Sequence, residues 1–194
     1  MHKFIPFLLL PVLTCLISCN RTNHPSVIID TDLGTITVEI YTSKAPITAS
    51  NFLSLVERDV YTGAMFYRVV RLDNQPHNEV KIEVIQGGLF RSNLIRNHPP
   101  IAHETTQVTG IRHTDGVISM ARNEPGSAST EFFICVGDQP SLDFGGARNP
   151  DGQGFSAFGK VLSGMDVVRN IQAMPDSVQI IIEKVDIREM KLVR

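Results

Sequence analysis

The chain has 194 residues, 42 % of them hydrophobic, and a formal net charge of −2, which suits one domain with a sizeable core. So small a net charge, with no run of basic residues interleaved with aromatics, excludes nucleic acid and anionic surfaces as electrostatic partners. Of the cysteines, Cys15 and Cys19 fall near the N-terminus and Cys135 lies far from both.

Lys3 gives a short basic start, and Phe4 to Ile17 is almost wholly apolar. That run is too short to span a bilayer as a stable helix, which takes roughly 20 apolar residues. It ends in Leu16-Ile17-Ser18-Cys19, which resembles the cleavage box of bacterial lipoproteins. The resemblance implies a signal peptide over residues 1–18, a lipidated Cys19 and a polar tether through residue 26. The alternatives are an ordinary secretory peptide with an incidental cysteine, or an uncleaved anchor. Acyl chains contribute about 0.8 kcal/mol per buried methylene, so several of them hold a soluble domain at a membrane. The expected setting is the bacterial cell envelope, with the domain outside the cytoplasm and lipid as its only membrane attachment. Cys135 is then the one remaining thiol, and no internal disulfide forms. It lies in the apolar run Phe132-Phe133-Ile134-Cys135-Val136 and reads as a buried small hydrophobe rather than a nucleophile.

Beyond the tether, Val27 to Ile29 and Ile36 to Ile40 read as strands joined by the turn residues Asp32-Leu33-Gly34. A helix follows from Pro46, proline being suited to the first helical position. Ala49, Phe52, Leu53 and Val56 recur at helical spacing and are expected to face the core. Arg71 to Glu79 is polar and turn-rich. Further strands are expected over residues 80–86, 116–121, 131–136, 155–161 and 178–190. A second helix is expected from Gly164 to Ala173, with Met165, Val168 and Ile171 on one side. On the residues alone, 27–194 is a single β-rich domain with two helices.

Five segments in order add chemistry to this frame: Phe66-Tyr67-Arg68-Val69-Val70, Ile85-Gln86-Gly87-Gly88, Ser119-Met120-Ala121-Arg122, Glu131-Phe132-Phe133-Ile134 and Phe158-Gly159-Lys160-Val161. Together they resemble the cyclophilin family of peptidyl-prolyl isomerases, from about Val27 to the C-terminus. The resemblance implies a mainly β fold, a closed eight-stranded antiparallel barrel capped by two α-helices. It also implies isomerisation of X-Pro bonds without metal or cofactor, proline-containing polypeptides as partners, and a monomer. Arg68 matches the family's catalytic arginine, Phe133 the aromatic floor of the proline pocket, and Gln86 the amide that orients Arg68 and the substrate carbonyl. Ala121 and Leu142 match further lining positions.

This chain also departs from the family pattern. Glu83-Val84 stands where a Phe-Met pair is usual, so a carboxylate is expected beside Arg68, where a salt bridge would hold the arginine away from substrate. Glu131 replaces a glutamine, Arg122 an asparagine, Phe155 a histidine at the pocket rim, and Ser141 a tryptophan common in animal members. The segment 71–79 is an insertion relative to the usual tight connection. Taken singly, Arg68 reads as a surface arginine and Phe133 as a core residue; their order with the other segments favours the site.

Other constellations are weaker. His98, His103 and Glu104 surround Pro99-Pro100 without a thiolate and read as a loop rather than a metal site. Asn149 to Gly154 lacks the alternating carboxylates of a calcium loop, and no phosphate-loop or Gly-x-Ser-x-Gly spacing occurs. The leading expectation is therefore a peptidyl-prolyl isomerase assisting the folding of exported proteins at a bacterial membrane surface. The alternative is a cyclophilin-like module that binds proline peptides with little turnover, favoured by Glu83 and the insertion. A hydrolase on the same scaffold has no nucleophile–base pair visible in the sequence. Cys19→Ser is expected to release the protein from membranes or to block its processing. Unchanged membrane retention and mature mass, by fractionation and mass spectrometry, would refute the lipid anchor.

Overall fold

A computed structural model describes residues 24–193 of the chain. The expected signal peptide and Cys19, the expected site of lipidation, fall outside the described residues. Ser26, placed in the tether on sequence grounds, is the first residue of β1 and pairs with Glu39 and Val193.

The first hairpin shows how alternation sets the fold. In β1 (Ser26–Thr31) and β2 (Gly34–Ile40), Val27 pairs with Val38 and Ile29 with Ile36, all four fully buried. Their polar neighbours point outward, as a half-buried antiparallel pair requires. Thr31 Oγ1 donates to the Gly34 carbonyl at 2.6 Å and accepts from the Leu33 amide at 3.2 Å, pinning the turn.

Six further strands complete a ring: β3 (Met65–Val70), β4 (Val84–Gly88), β5 (Val117–Met120), β6 (Phe132–Cys135), β7 (Ser156–Ser163) and β9 (Ile180–Val193). The order β1-β2-β7-β5-β6-β4-β3-β9 closes through β9 pairing back onto β1, every pairing antiparallel. The fold is thus a closed eight-stranded barrel. A two-residue strand, β8 (Asp176–Ser177), folds against the start of β9 as a short hairpin.

Two longer helices cap the barrel, α1 (Pro46–Glu57) and α4 (Met165–Gln172), and two single turns, α2 (Ser92–Ile95) and α3 (Thr106–Thr109), lie in the connections. The buried stripe of α1 is Thr48, Ala49, Phe52, Leu55 and Val56. Leu55 therefore takes the place expected for Leu53, because the stripe advances about 100° per residue and carries Leu53 to its margin. The first turn of α1 has no side-chain cap of its own. Glu104 supplies one from a distant loop, accepting from the Thr48 amide at 2.7 Å, the Thr48 hydroxyl at 2.7 Å and the Ile47 amide at 3.2 Å. A carboxylate there meets the unpaired N–H groups and the positive end of the helix.

Phe52, Phe66, Phe132 and Phe158 fill the barrel with Tyr61, at ring separations of 5.0–5.8 Å. Tyr61 keeps its polar end satisfied by donating to the Thr130 carbonyl at 2.9 Å. Phe133 belongs to a second apolar cluster with Val70, Ile82, Val84, Cys135 and Leu142. Adjacent residues on β6 thus serve opposite faces, Phe132 inside the barrel and Phe133 outside it.

Two strands start two or more residues later than expected. The strand expected from Val80 begins at Val84, because Val80 to Glu83 completes the inserted loop. The C-terminal strand begins at Ile180 rather than Val178, because Val178 and Gln179 form the tip of the β8–β9 turn with φ of 50° and 70°. Phe132→Ala is expected to lower unfolding stability by about 3–5 kcal/mol, the range for emptying a buried aromatic position. Chemical denaturation measures it, and a loss below about 1 kcal/mol would contradict this packing.

Candidate active site

The second apolar cluster opens into a cavity of about 430 Å³ on the outer face of β3, β4 and β6. Phe133 forms its floor. Phe155 meets the Phe133 ring edge-on at 5.3 Å, and Val84, Leu142, Ile82 and Ala121 complete the apolar walls.

Behind the floor, His113 stacks on Phe133 at 5.9 Å between ring centres. Its Nδ1 lies 2.8 Å from Asp143 Oδ1 and its Nε2 lies 3.1 Å from Ser119 Oγ. Burial works against the Asp143 charge, but hydrogen bonds from His113 and Arg112 hold its carboxyl below the usual carboxylate range. This Ser-His-Asp order resembles a hydrolase triad in connectivity only. Ser119 is 0 % exposed and His113 1 %, so no substrate reaches the hydroxyl. The three brace the floor of the cavity. Cys135 is buried in the same cluster, where burial, with the Asp143 charge second, pushes its thiol far above the ordinary range and keeps it inert.

Arg68 reaches the cavity because β3 carries a bulge. Phe66 pairs with Gly87 and Arg68 with Gln86, leaving Tyr67 as an extra residue. In a regular strand Arg68 would share the inward face of Phe66; the bulge turns it outward. Its guanidinium is then clamped by two neutral amides. Nη1 donates to Gln86 Oε1 at 2.8 Å, while Nε and Nη2 donate to Gln179 Oε1 at 3.1 and 2.6 Å. Burial lowers the pKa of Arg68, opposed by the neighbouring Tyr67. Arginine nevertheless stays cationic at neutral pH.

Gln86 passes the interaction on. Its Nε2 donates to Tyr67 Oη at 2.6 Å, and that hydroxyl donates to Glu131 Oε2 at 2.6 Å. Burial, then the Glu131 charge, raises the Tyr67 pKa, so the phenol remains a donor. Glu131 also accepts from the Leu89 amide at 2.7 Å. The Gln86-Gly87-Gly88 segment needs its glycines for close approach. A Cβ on Gly87 would come within 2.9 Å of the Phe66 ring, and one on Gly88, at φ 142°, would run into the Glu131 carboxylate.

Of the residues expected at the site, Arg68, Gln86, Phe133, Val84, Ala121, Arg122, Glu131, Leu142 and Phe155 all line the one cavity. Glu83 does not. Ile82 and Val84 line the cavity and Glu83 between them does not; its backbone amide donates to Gln139 Oε1 at 3.1 Å. No ion pair joins Arg68 to any carboxylate among the described residues. Arg122 is neutralised by Asp151, with contacts of 2.8 and 2.9 Å that hold the Asp151 pKa at about 2, and its guanidinium lies over the Phe155 ring.

Sequence reasoning missed Ile82, His113, Arg148 and Gln179. Gln179 is the consequential one, and no local pattern marks it. The insertion braces it: Gln179 Nε2 donates to the Asn74 carbonyl at 3.1 Å, and Asn74 Nδ2 donates to Val69 O at 3.1 Å and Asp176 Oδ1 at 3.2 Å. His98, His103 and Glu104 do not converge either. His103 contacts the Gln153 carbonyl and Ser156, and Glu104 caps α1.

The family model for cyclophilin type peptidyl-prolyl cis-trans isomerases matches residues 26–192. A peptidyl-prolyl cis-trans isomerase of Acinetobacter baylyi is 39 % identical over 165 residues, covering 84 % of this chain and 79 % of the relative. Peptidyl-prolyl cis-trans isomerase A of Dickeya dadantii is 34 % identical over 153 residues, covering 77 % of this chain and 72 % of the relative. Among solved structures, a cyclophilin type peptidyl-prolyl cis-trans isomerase of Cryptosporidium parvum superposes with a TM-score of 0.69 at 20 % identity. It covers 88 % of this chain and 98 % of that one.

Gln179→Ala removes two of the three side-chain hydrogen bonds that fix Arg68. The Arg68 Nε–H is expected to exchange with water about tenfold faster or more, given the usual strength of charge-assisted hydrogen bonds. Nitrogen-edited NMR follows that proton, and unchanged exchange would show that Gln86 alone positions the guanidinium.

Proposed function

We propose that this chain, which belongs to the cyclophilin-type peptidyl-prolyl cis-trans isomerase family, turns X-Pro bonds over in the cavity beside Arg68. The uncatalysed rotation faces a barrier of about 18–20 kcal/mol, because the nitrogen lone pair is shared with the carbonyl. No bond is broken, so neither a nucleophile nor a metal is required. In the twisted state the lone pair is localised on the proline nitrogen and accepts a hydrogen bond that the planar amide does not. A fixed cation aimed at that nitrogen therefore favours the transition state over the ground state.

The observation that carries this reading is the neutral clamp on Arg68. A carboxylate partner would cancel its charge, whereas the Gln86 and Gln179 amides orient the guanidinium and leave the charge in place. Of the five N–H donors of arginine, those two amides take three, leaving one on each terminal nitrogen for substrate. Phe133, Val84, Leu142 and Ile82 offer the apolar seat for a proline ring, with Phe155 and Ala121 beside them. The Ser119 hydroxyl and Cys135 thiol take no part.

The binding-module alternative rested on Glu83 and on the insertion. Glu83 does not line the cavity, and the insertion braces Gln179 rather than filling the site. Both grounds for low turnover are gone, and isomerisation is the reading retained. The substrates we propose are proline-containing segments of exported proteins, met at the membrane surface of the bacterial envelope by a monomer tethered through Cys19. The support for that setting is the Leu16-Ile17-Ser18-Cys19 box.

Arg68→Ala is expected to lower kcat/KM on X-Pro peptides by ~10²-fold or more, equivalent to roughly 2.7 kcal/mol of transition-state stabilisation. Arg68→Lys keeps a charge but loses the planar fork, so it should recover little. Isomerisation measured by NMR exchange on the full-length chain decides this, and wild-type rates in Arg68→Ala would sink the mechanism. The rate is also expected to be nearly flat between about pH 6 and 9, since the working group is an arginine. A steep bell-shaped profile would point to a titrating acid or base instead.

A further inference from the structure

Arg148 lines the same cavity as Arg68 and Phe133, yet neither the family positions nor the mechanism above uses it. It is half-buried and held in place by the insertion. Its Nη1 donates to Gln75 Oε1 at 3.0 Å and to the Val80 carbonyl at 2.6 Å. Gln75 is itself 1 % exposed and tied by its amide nitrogen to the Arg71 and Ile82 carbonyls at 2.7 and 2.8 Å. The anchor is therefore built into the fold rather than left to a mobile side chain.

Every partner of Arg148 is neutral. No hydrogen-bond partner is found for its Nε or Nη2 among the described residues, and no buried side-chain polar atom among them lacks one, so those donors are open to solvent on a residue that lines the cavity. Burial, with the Arg68 charge second, lowers its pKa, as expected of two guanidiniums sharing a cavity without a counter-ion. Of the other charged lining groups, Arg122 is paired with Asp151, while Glu131 keeps its charge at the far end of the Gln86–Tyr67 relay, held by the Tyr67 hydroxyl and the Leu89 amide. The cavity thus presents an unbalanced positive charge at its Arg68–Arg148 side, and the outward N–H groups of Arg148 match a carboxylate.

We propose that Arg148 makes this site selective for proline segments carrying an aspartate or glutamate within two residues of the proline. The proposal rests on the isomerase reading for its substrate, while its own content is the choice among proline peptides. Because Arg148 is pre-positioned, little ordering entropy opposes the pair. Arg68 gains as well, since a nearby anion offsets the repulsion between the two arginines.

The test uses the full-length chain and proline tetrapeptides that differ only in Glu, Gln or Lys, placed directly before the proline in one set and directly after it in another. Dissociation constants come from NMR titration, and turnover on the same samples from exchange spectroscopy. At low salt the Glu peptide of one set is expected to bind about fivefold tighter than its Gln counterpart, the scale of a partly exposed ion pair. The Lys peptide should bind weakest, and the spread should shrink as salt screens the charges. Arg148→Gln should bring the Glu-to-Gln ratio to about one, while Arg122→Gln should leave that ratio in place. Equal binding of Glu and Gln peptides in both sets, or a preference that survives Arg148→Gln, would overturn the proposal. The salt dependence in the unmodified chain tests the same claim without any variant. Binding selectivity with no turnover of any peptide would instead strike the isomerase reading and leave this one standing.

Discussion

A single extra residue in β3 sets the terms for the rest of the site. With Phe66 packed inside the barrel, strict alternation would send Arg68 into the aromatic core, where an unpaired guanidinium is heavily penalised. The Tyr67 bulge shifts the ladder to β4 by one residue, and the ladder to β9 jumps from Val185 to Ile180 across the same step. Val69 then returns to the core while Val70 joins the outer cluster. The bulge therefore delivers two consecutive polar side chains to one face, Tyr67 and Arg68, and these begin the hydrogen-bonded chain running through Gln86 to Glu131.

That chain explains how a positive charge is held firmly without being neutralised. The guanidinium and the Glu131 carboxylate stand at opposite ends of a relay, with the Gln86 amide and the Tyr67 hydroxyl between them. Each link donates toward the carboxylate, so the dipoles align and reinforce one another. Gly88 leaves the space that the carboxylate occupies. The second amide, from Gln179, comes from a turn where a non-glycine pair adopts the left-handed region and Val178 is 91 % exposed. β-Branched residues seldom tolerate that conformation, and the hydrogen bonds that Gln179 donates to the Asn74 carbonyl and Asp176 Oδ2 hold the turn. Strain concentrated beside a reactive side chain is a recurrent feature of functional sites.

The strands and α1 were legible in the sequence because they depend on local patterns, whereas the barrel and most of the cavity were expected from the resemblance alone. Alternation located the strands, the apolar stripe located α1, and the ordered segments from Phe66 to Val161 located Arg68, Gln86 and Phe133. The failures share one cause. Glu83, Ile82, Gln75, Arg148 and Gln179 take their positions from irregular loops, where no period links residue number to direction. An error of one residue at the end of the insertion was enough to exchange a carboxylate for Ile82 in the cavity wall. The Ser119-His113-Asp143 arrangement was equally invisible, since its members are brought together by barrel closure rather than by spacing. Burial, not connectivity, then decides that it is a brace.

Closure has a further consequence. Among the described residues each of the eight ring strands is hydrogen-bonded on both sides, and the sheet ends only in the two-residue β8. An extended polypeptide carries unpaired backbone groups, which readily add to any open sheet edge. This barrel offers them almost none. The domain is thereby protected against strand addition and against the aggregation that open edges invite.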